Sequence, residues 1–287
     1  MNNEMFFQEV LKSEICPEGF PEIYAQFRRY QEEALRTLRE FHRICEKNHV
    51  DYQLAYGSLL GAVRDGGQIP WDYDVDVIVP FQQKDKLVAA LKQDLSEEFY
   101  FYCPDVDPKC RHFMMRVTPK EYRSEALHVD VFYCIGLPEA QNCRQEFQSE
   151  VKQLFFHRFW KLVKAWEESH GNLKQYARYI YYKIKLLKTS LSKINERQIF
   201  LCQQYPVHEA SECTIVSSNA IVCRTAELWD TMLWETQAGE FRITKNYEQV
   251  LQMMYGDYKK IYPLENRLNE MMGHYRQLTQ YGLKRKY

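Results

Sequence analysis

Between Trp71 and Pro80 the chain reads WDYDVDVIVP, and this run constrains the fold more than any other. Acidic residues stand at alternate positions, Asp72, Asp74 and Asp76, interleaved with Tyr73, Val75 and Val77. Successive side chains of a strand point to opposite faces, so this period predicts an extended segment with its carboxylates on one face and its valines in a core. Neighbouring carboxylates on that face would stand roughly 7 Å apart. Like charges at that spacing in a half-buried place repel unless protons or a cation intervene, and a divalent cation is the simplest compensation. Oxygen ligands with no His or Cys among them favour Mg²⁺ or Mn²⁺. The plain alternative is a solvated turn ahead of a buried strand.

The flanking sequence favours the cation site. DYQLAY (51–56) predicts a strand, Ser58 a helix N-cap, LLGAVR a short helix, and Gly66-Gly67 with Pro70 a turn. Gly57-Ser58 at a strand-to-helix junction can hold a phosphate with backbone N–H groups and a hydroxyl, with Arg64 as counter-charge. Each alone has a simpler reading: Ser58 as a cap, Arg64 as a surface cation. Farther on, ALHVDVFYCI (126–135) alternates as a second strand, with His128 and Asp130 on one face and Val129, Val131 and Tyr133 on the other. Asp130 is either a structural carboxylate paired with an arginine or the residue that completes the site.

The rest of the chain supplies scaffold. Phe27, Tyr30, Ala34, Leu35, Leu38, Phe41 and Ile44 recur at helical spacing within residues 24–48, and KDKLVAALKQDL (84–95) predicts a further helix. From about residue 139 to 205 the pattern is helical, and between Arg158 and Arg197 ten Lys or Arg face three acidic residues. Trp160, Trp166, Tyr176, Tyr179, Tyr181 and Tyr182 are interleaved with them. The plain reading is aromatics packed inside with a solvated cationic face; the functional readings are a membrane interface, a sugar acceptor or a nucleic acid. CTIV and AIVC predict short strands, and a helix over 247–255 ends at Gly256. No repeat or flexible linker divides the chain, so one catalytic unit is expected: a core over 24–140, a basic helical insertion over 141–210, and a C-terminal part, 211–287, packed back on the core.

A net charge of −1 gives no global pull toward nucleic acid, and no nucleic-acid partner is expected. No apolar run is long enough to span a bilayer, and no secretory leader is evident, so a cytoplasmic location is expected, extending to the inner face of a membrane if the basic helices dock there. The nine cysteines hold no CxxC pair and read as reduced thiols. Cys103, Cys110 and His112 lack the second half of a zinc site.

Gly-Ser, Asp-x-Asp on a following strand and a lone Asp on a later one together resemble the nucleotidyltransferase fold of polymerase-beta-like enzymes. The fuller string YGSLLGAVRDGGQIPWDYDVDV (56–77) is similar to the signature of the LicD family, which includes phosphocholine transferases and is related to the fukutin group of phosphoalditol transferases. HVDVF (128–132) and NYEQVLQMMYGDYKKIYPLENR (246–267) are similar to later blocks of the same family. Tyr73 stands where the family usually has Asp, and Thr244-Lys245 where a proline commonly precedes the last block. The resemblance implies an α+β fold with a mixed sheet, and transfer of a substituted phosphate from a CDP-linked donor to a hydroxyl of a cell-surface glycan, with CMP released. It implies Asp74 and Asp76 as metal ligands, Asp130 as a further metal ligand or the base that takes the acceptor proton, Gly57, Ser58 and Arg64 as substrate-binding residues, and Asp72 as a further catalytic residue that orients the acceptor or binds a second ion. Two other readings remain: nucleotidyl transfer at the alpha phosphate of an NTP, and a non-catalytic glycan-binding relative.

Overall fold

The computed structural model describes residues 1–122, 126–169, 171–218 and 221–280. The chain opens with helix α1 (Asn3–Leu11) and the long helix α2 (Phe20–Asn48), whose buried stripe includes Phe27, Tyr30, Ala34, Leu38, Phe41 and Ile44. His49 ends α2 in the left-handed region, φ 52°, closing the last turn on the carbonyls of Cys45 and Glu46. A short strand β1 (Gln53–Leu54), helix α3 (Tyr56–Arg64), strand β2 (Val75–Pro80) and helix α4 (Lys84–Asp94) follow. Then come strands β3 (Phe99–Tyr102), β4 (Met115–Pro119) and β5 (Val129–Gly136).

These strands make a mixed sheet in the order β1-β2-β5-β4-β3. Its only parallel pair among the described residues is β2 with β5; the crossover between them runs through α4, β3 and β4. Strand β5 is the hub. One edge carries β2, while the other is shared between β4 at its start and β6 (Glu212–Ile215) at its end; β6 in turn pairs with β7 (Val222–Arg224). Val75, Val77, Val129 and Val131 are buried as the alternation requires, and pack in one core with α2, α3 and α11.

Between β5 and β6 stands the helical lobe: α5 (Gln141–Leu162), α6 (Ala165–Ser169), α7 (Leu173–Lys185) and α8 (Leu191–Gln204). Helices α5 and α8 pack on the sheet through Phe147, Leu154, Ile194 and Leu201 against Tyr133 and Ile135. Helix α9 (Thr225–Trp229), the hairpin β8 (Thr231–Thr236) and β9 (Gly239–Thr244), α10 (Tyr247–Tyr255) and α11 (Leu264–Gln280) complete the chain. The fold is α+β with a mixed sheet, as expected.

Three local expectations are corrected. The strand expected over 51–56 is only two residues long, because Tyr56 turns into the left-handed region, φ 46°, and opens α3. The acidic strand begins at Val75, so Asp72 and Asp74 lie on the loop leading into it. Ser58 is no N-cap. Ala55 takes that position, and the Ser58 hydroxyl, in the first turn of α3, accepts the Asp76 N–H at 2.8 Å. That bond ties the helix to the loop-strand junction.

Candidate active site

Strand register builds the centre of the site. Asp76 is the partner of Asp130 in the parallel pair β2/β5, and Asp130 is the partner of Arg116 in the antiparallel pair β4/β5. In-register residues on adjacent strands share a face, so two carboxylates and a guanidinium stand in one row across three strands. Arg116 Nε donates to Asp130 Oδ1 at 2.7 Å, and His128 Nε2, two residues before Asp130 on the same face, lies 3.3 Å from the same oxygen. The two readings of Asp130 are therefore not exclusive: it is paired with an arginine and it sits beside Asp76.

Asp72 and Asp74 approach from the loop. The alternation survives although the strand does not: Trp71, Tyr73 and Val75 are buried, while Asp72, Asp74 and Asp76 are half-buried. An Asx turn, Asp74 N–H to Asp72 Oδ1 at 3.1 Å, shapes the loop. From α2 the buried Gln31 amide clamps it, donating to the carbonyls of Ile69 (3.0 Å) and Asp72 (2.5 Å). Gly57 faces it: a Cβ there would stand 3.1 Å from Asp72 Oδ2, in the space that the glycine leaves open beside the carboxylate. Among the described residues no donor reaches the carboxylates of Asp74 and Asp76.

Arg64 lies in the last turn of α3, about 9 Å along the axis from Ser58, with its guanidinium on Asp65 (2.7 Å) and over the Trp71 ring, near enough for its charge to act on Glu270. The cation among the carboxylates is Arg116. The sequence carried a faint sign of it, an arginine at an alternate position inside the apolar run MMRVT. Cys103 and Cys110 are buried thiols, the latter donating to the His112 carbonyl at 3.4 Å.

The C-terminal part adds groups that sequence reasoning passed over. His274 on α11 places Nε2 3.7 Å from Asp72 Oδ1 and its ring edge-on to Tyr73, with Glu270 one turn earlier within 4.0 Å. Tyr255, from the YGDY block, has its phenol pushed up by burial and by the charges of Asp76 and Asp72. The i, i+4 pair Glu270 and His274 was the available signal.

The electrostatics divide the aspartates. Burial, then Asp130, Asp74 and Asp72, raises the Asp76 carboxyl well above its ordinary range. Burial and the neighbouring Asp74 push Asp72 up to about 8. Asp130 moves the other way: burial opposes its charge, but Arg116 and His128 outweigh it and hold the group well below the usual carboxylate range. The arrangement among the described residues is an anionic face with a fixed cation, Arg116, on Asp130 and no ion pair on Asp74 or Asp76. Such a face takes up protons or a cation.

Residues 49–155 match the family model described as LicD/FKTN/FKRP, nucleotidyltransferase domain. The chain is also 24% identical over 246 residues to the lipopolysaccharide cholinephosphotransferase LicD of Haemophilus influenzae, a match that covers 81% of this chain and 91% of that protein. The chain is thus similar to that nucleotidyltransferase domain over residues 49–155 and, more weakly, to LicD over most of its length. A shorter match, 55% identity over 47 residues, joins it to the ribitol 5-phosphate transferase FKRP of Mus musculus and of Homo sapiens, covering 15% of this chain and 10% of each relative. The matched segment, 49–155, holds Gly57, Ser58, the three loop and strand aspartates, Arg116 and Asp130, whereas Tyr255, Glu270 and His274 lie beyond residue 155. No helix among the described residues is long and apolar enough to cross a membrane.

Proposed function

We propose that this chain is a metal-dependent transferase that moves a substituted phosphate, such as phosphocholine or an alditol phosphate, from a CDP-linked donor to a hydroxyl of a glycan and releases CMP. The observation that carries the reading is the row Asp76–Asp130–Arg116, with Asp74 and Asp72 entering beside it. The LicD match supports phosphotransfer to a glycan, since the bacterial relative is named a lipopolysaccharide cholinephosphotransferase.

The residues fit a magnesium or manganese ion. Asp74 and Asp76 are oxygen ligands whose carboxylates meet no hydrogen-bond donor among the described residues, and Asp130 is held ionised beside Asp76. Among the described residues no group of three or more His, Cys, Asp or Glu side chains is already placed to hold a metal ion, so a bound ion would have to draw the aspartates together, with water and substrate phosphate filling the other positions. A bound ion would neutralise negative charge on the transferred phosphate and its leaving group. The space beside Gly57 would admit donor phosphates close to the α3 backbone. Arg116 anchors Asp130 and adds fixed positive potential to the face. Held ionised by Arg116 and His128, Asp130 suits a ligand better than a base. Asp72, with His274 Nε2 3.7 Å from its Oδ1, is placed to orient the attacking hydroxyl or accept its proton.

The test is product analysis. Purified protein is incubated with Mg²⁺, a glycan acceptor and CDP-choline, CDP-ribitol, CDP-glycerol or CDP-ethanolamine in turn, and in parallel with NTPs. CMP with glycan labelling is the expected outcome, abolished in Asp74→Asn and Asp76→Asn at unchanged fold. Pyrophosphate release from an NTP would replace this reading with nucleotidyl transfer. Failure to bind any of these nucleotides with Mg²⁺ by calorimetry would leave a non-catalytic relative.

A further inference from the structure

The basic aromatic segment has two faces, and only one is used inside the protein. The inner face of α7 is pinned to α5. Tyr182 stacks on Trp160 with ring centroids 3.7 Å apart, Lys183 Nζ donates to the Lys161 carbonyl at 3.2 Å, and Lys161 Nζ returns a bond to the Leu186 carbonyl at 2.8 Å. Tyr179 is buried against Val163 and Ala165. Arg158, counted with the basic residues in the sequence, is also internal: it donates to the carbonyls of Cys110 and Pro108 and to Asn195.

The outer face carries a different pattern. Leu173, Ala177, Tyr181 and Ile184 recur at spacings of four, four and three, one stripe of a helix, and Leu187 continues it past the end. All five are exposed, Leu173 and Leu187 by 71% and 72%. Lys174, Arg178, Lys185 and Lys188 are exposed alongside, and none is paired with an acidic residue among the described residues. Between Gly171 and Asn195 there is no Asp or Glu at all. Trp166 on the adjoining α6 is 67% exposed and meets Tyr176 edge-on.

We propose that this face, α7 with Trp166 and the Leu187 turn, is a docking surface for an anionic lipid bilayer, lying in the interface plane. Charge complementarity selects the occupant. Cations without partners call for an anionic surface, and a continuous apolar stripe between them calls for one that also accepts aliphatic side chains. A nucleic acid satisfies the first requirement and gains nothing from Leu173, Ile184 and Leu187; a second copy of this face satisfies the second and repels through the first. The helix is too short and too charged to span, so binding is peripheral and salt-sensitive. The rigid attachment of α7 to α5 lets the face bind without refolding. The proposal does not depend on the transferase reading.

The experiment is flotation of the full chain with vesicles of phosphatidylcholine containing phosphatidylglycerol, and with phosphatidylcholine alone, at low and high salt. Flotation is expected only with the anionic vesicles and weakened by salt. Neutralising two exposed cations, Lys185→Gln with Lys188→Gln, should lower apparent affinity by about 25-fold. The pair Ile184→Ser with Leu187→Ser should abolish flotation at every salt concentration, with both variants unchanged in thermal melting. Absence of flotation with anionic vesicles at low salt overturns the proposal. So does equal binding by the variants, or an oligomer or an RNA complex that the same substitutions disrupt while vesicle binding stays nil.

Discussion

Replacing Asp76 by Asn should make the metal-free protein more stable while removing its response to magnesium. Asp76 and Asp130 are register partners on adjacent parallel strands, which lie about 4.8 Å apart. Two unit charges near 5 Å repel by about 3 kcal/mol at an effective dielectric of 20. Arg116 offsets part of this by holding Asp130. The neutral amide removes the repulsion and forfeits no hydrogen bond to its carboxylate from the described residues. A gain of about 1–3 kcal/mol at pH 8 follows, near 2–4 °C of melting temperature for each kcal/mol in a chain somewhat below this size.

The sign of the pH dependence follows from the raised carboxyls. Asp76 is raised well above its usual range and Asp72 to about 8, so the folded state binds protons that the unfolded state has already released. The contribution of these two groups to stability therefore falls as pH rises from about 4 through 8, while the lowered His42, His112 and His157 act the other way below about pH 6.5. The advantage of Asp76→Asn should shrink toward pH 5, where protons already neutralise the site. Denaturant melts of both proteins at pH 5 and 8, with and without Mg²⁺, read all of this. Magnesium should raise the wild-type midpoint at pH 8 and leave the variant's nearly fixed. A difference between variant and wild type that does not grow from pH 5 to 8, or a variant less stable than wild type at pH 8 without metal, would refute the reasoning.

Arg116→Met should cost about 3–5 kcal/mol in urea melts, because it strands the buried charge of Asp130, and a second substitution, Asp130→Asn, should recover part of that loss. Gln31→Leu removes two donors from the loop carbonyls of Ile69 and Asp72 and should lower stability by about 2 kcal/mol, with turnover falling further than stability as the aspartates drift. Gly57→Ala puts a methyl in the space beside Asp72; donor KM should rise at least tenfold while the melting midpoint stays within a few degrees, since alanine also favours the helix by about 1 kcal/mol. Equal KM values would place the donor elsewhere.

Local periodicity carried the parts of the molecule whose physics is local. The α2 stripe, α4, the α10 stop at Gly256 and the in-out alternation of residues 71–77 depend on neighbours a few positions apart, and each was legible before any coordinates. The hairpin β8–β9, strands β3 and β4 and helix α11 were not, since their stability comes from what they pack on. Ser58 shows the same limit at one residue: an N-cap by local preference, it was taken instead by a longer-range bond to the Asp76 N–H.

The amino-acid sequence by itself determined, through the two-residue period, which of the aspartates share a face and which of their neighbours are buried. Only the tertiary structure decided their company. Strand register set Arg116 beside Asp130 and Asp130 beside Asp76, and helix α11 brought His274 to Asp72. The physical reason is that charge on a buried carboxyl is governed by groups within a few ångströms in space, and these partners lie tens to hundreds of residues away along the chain.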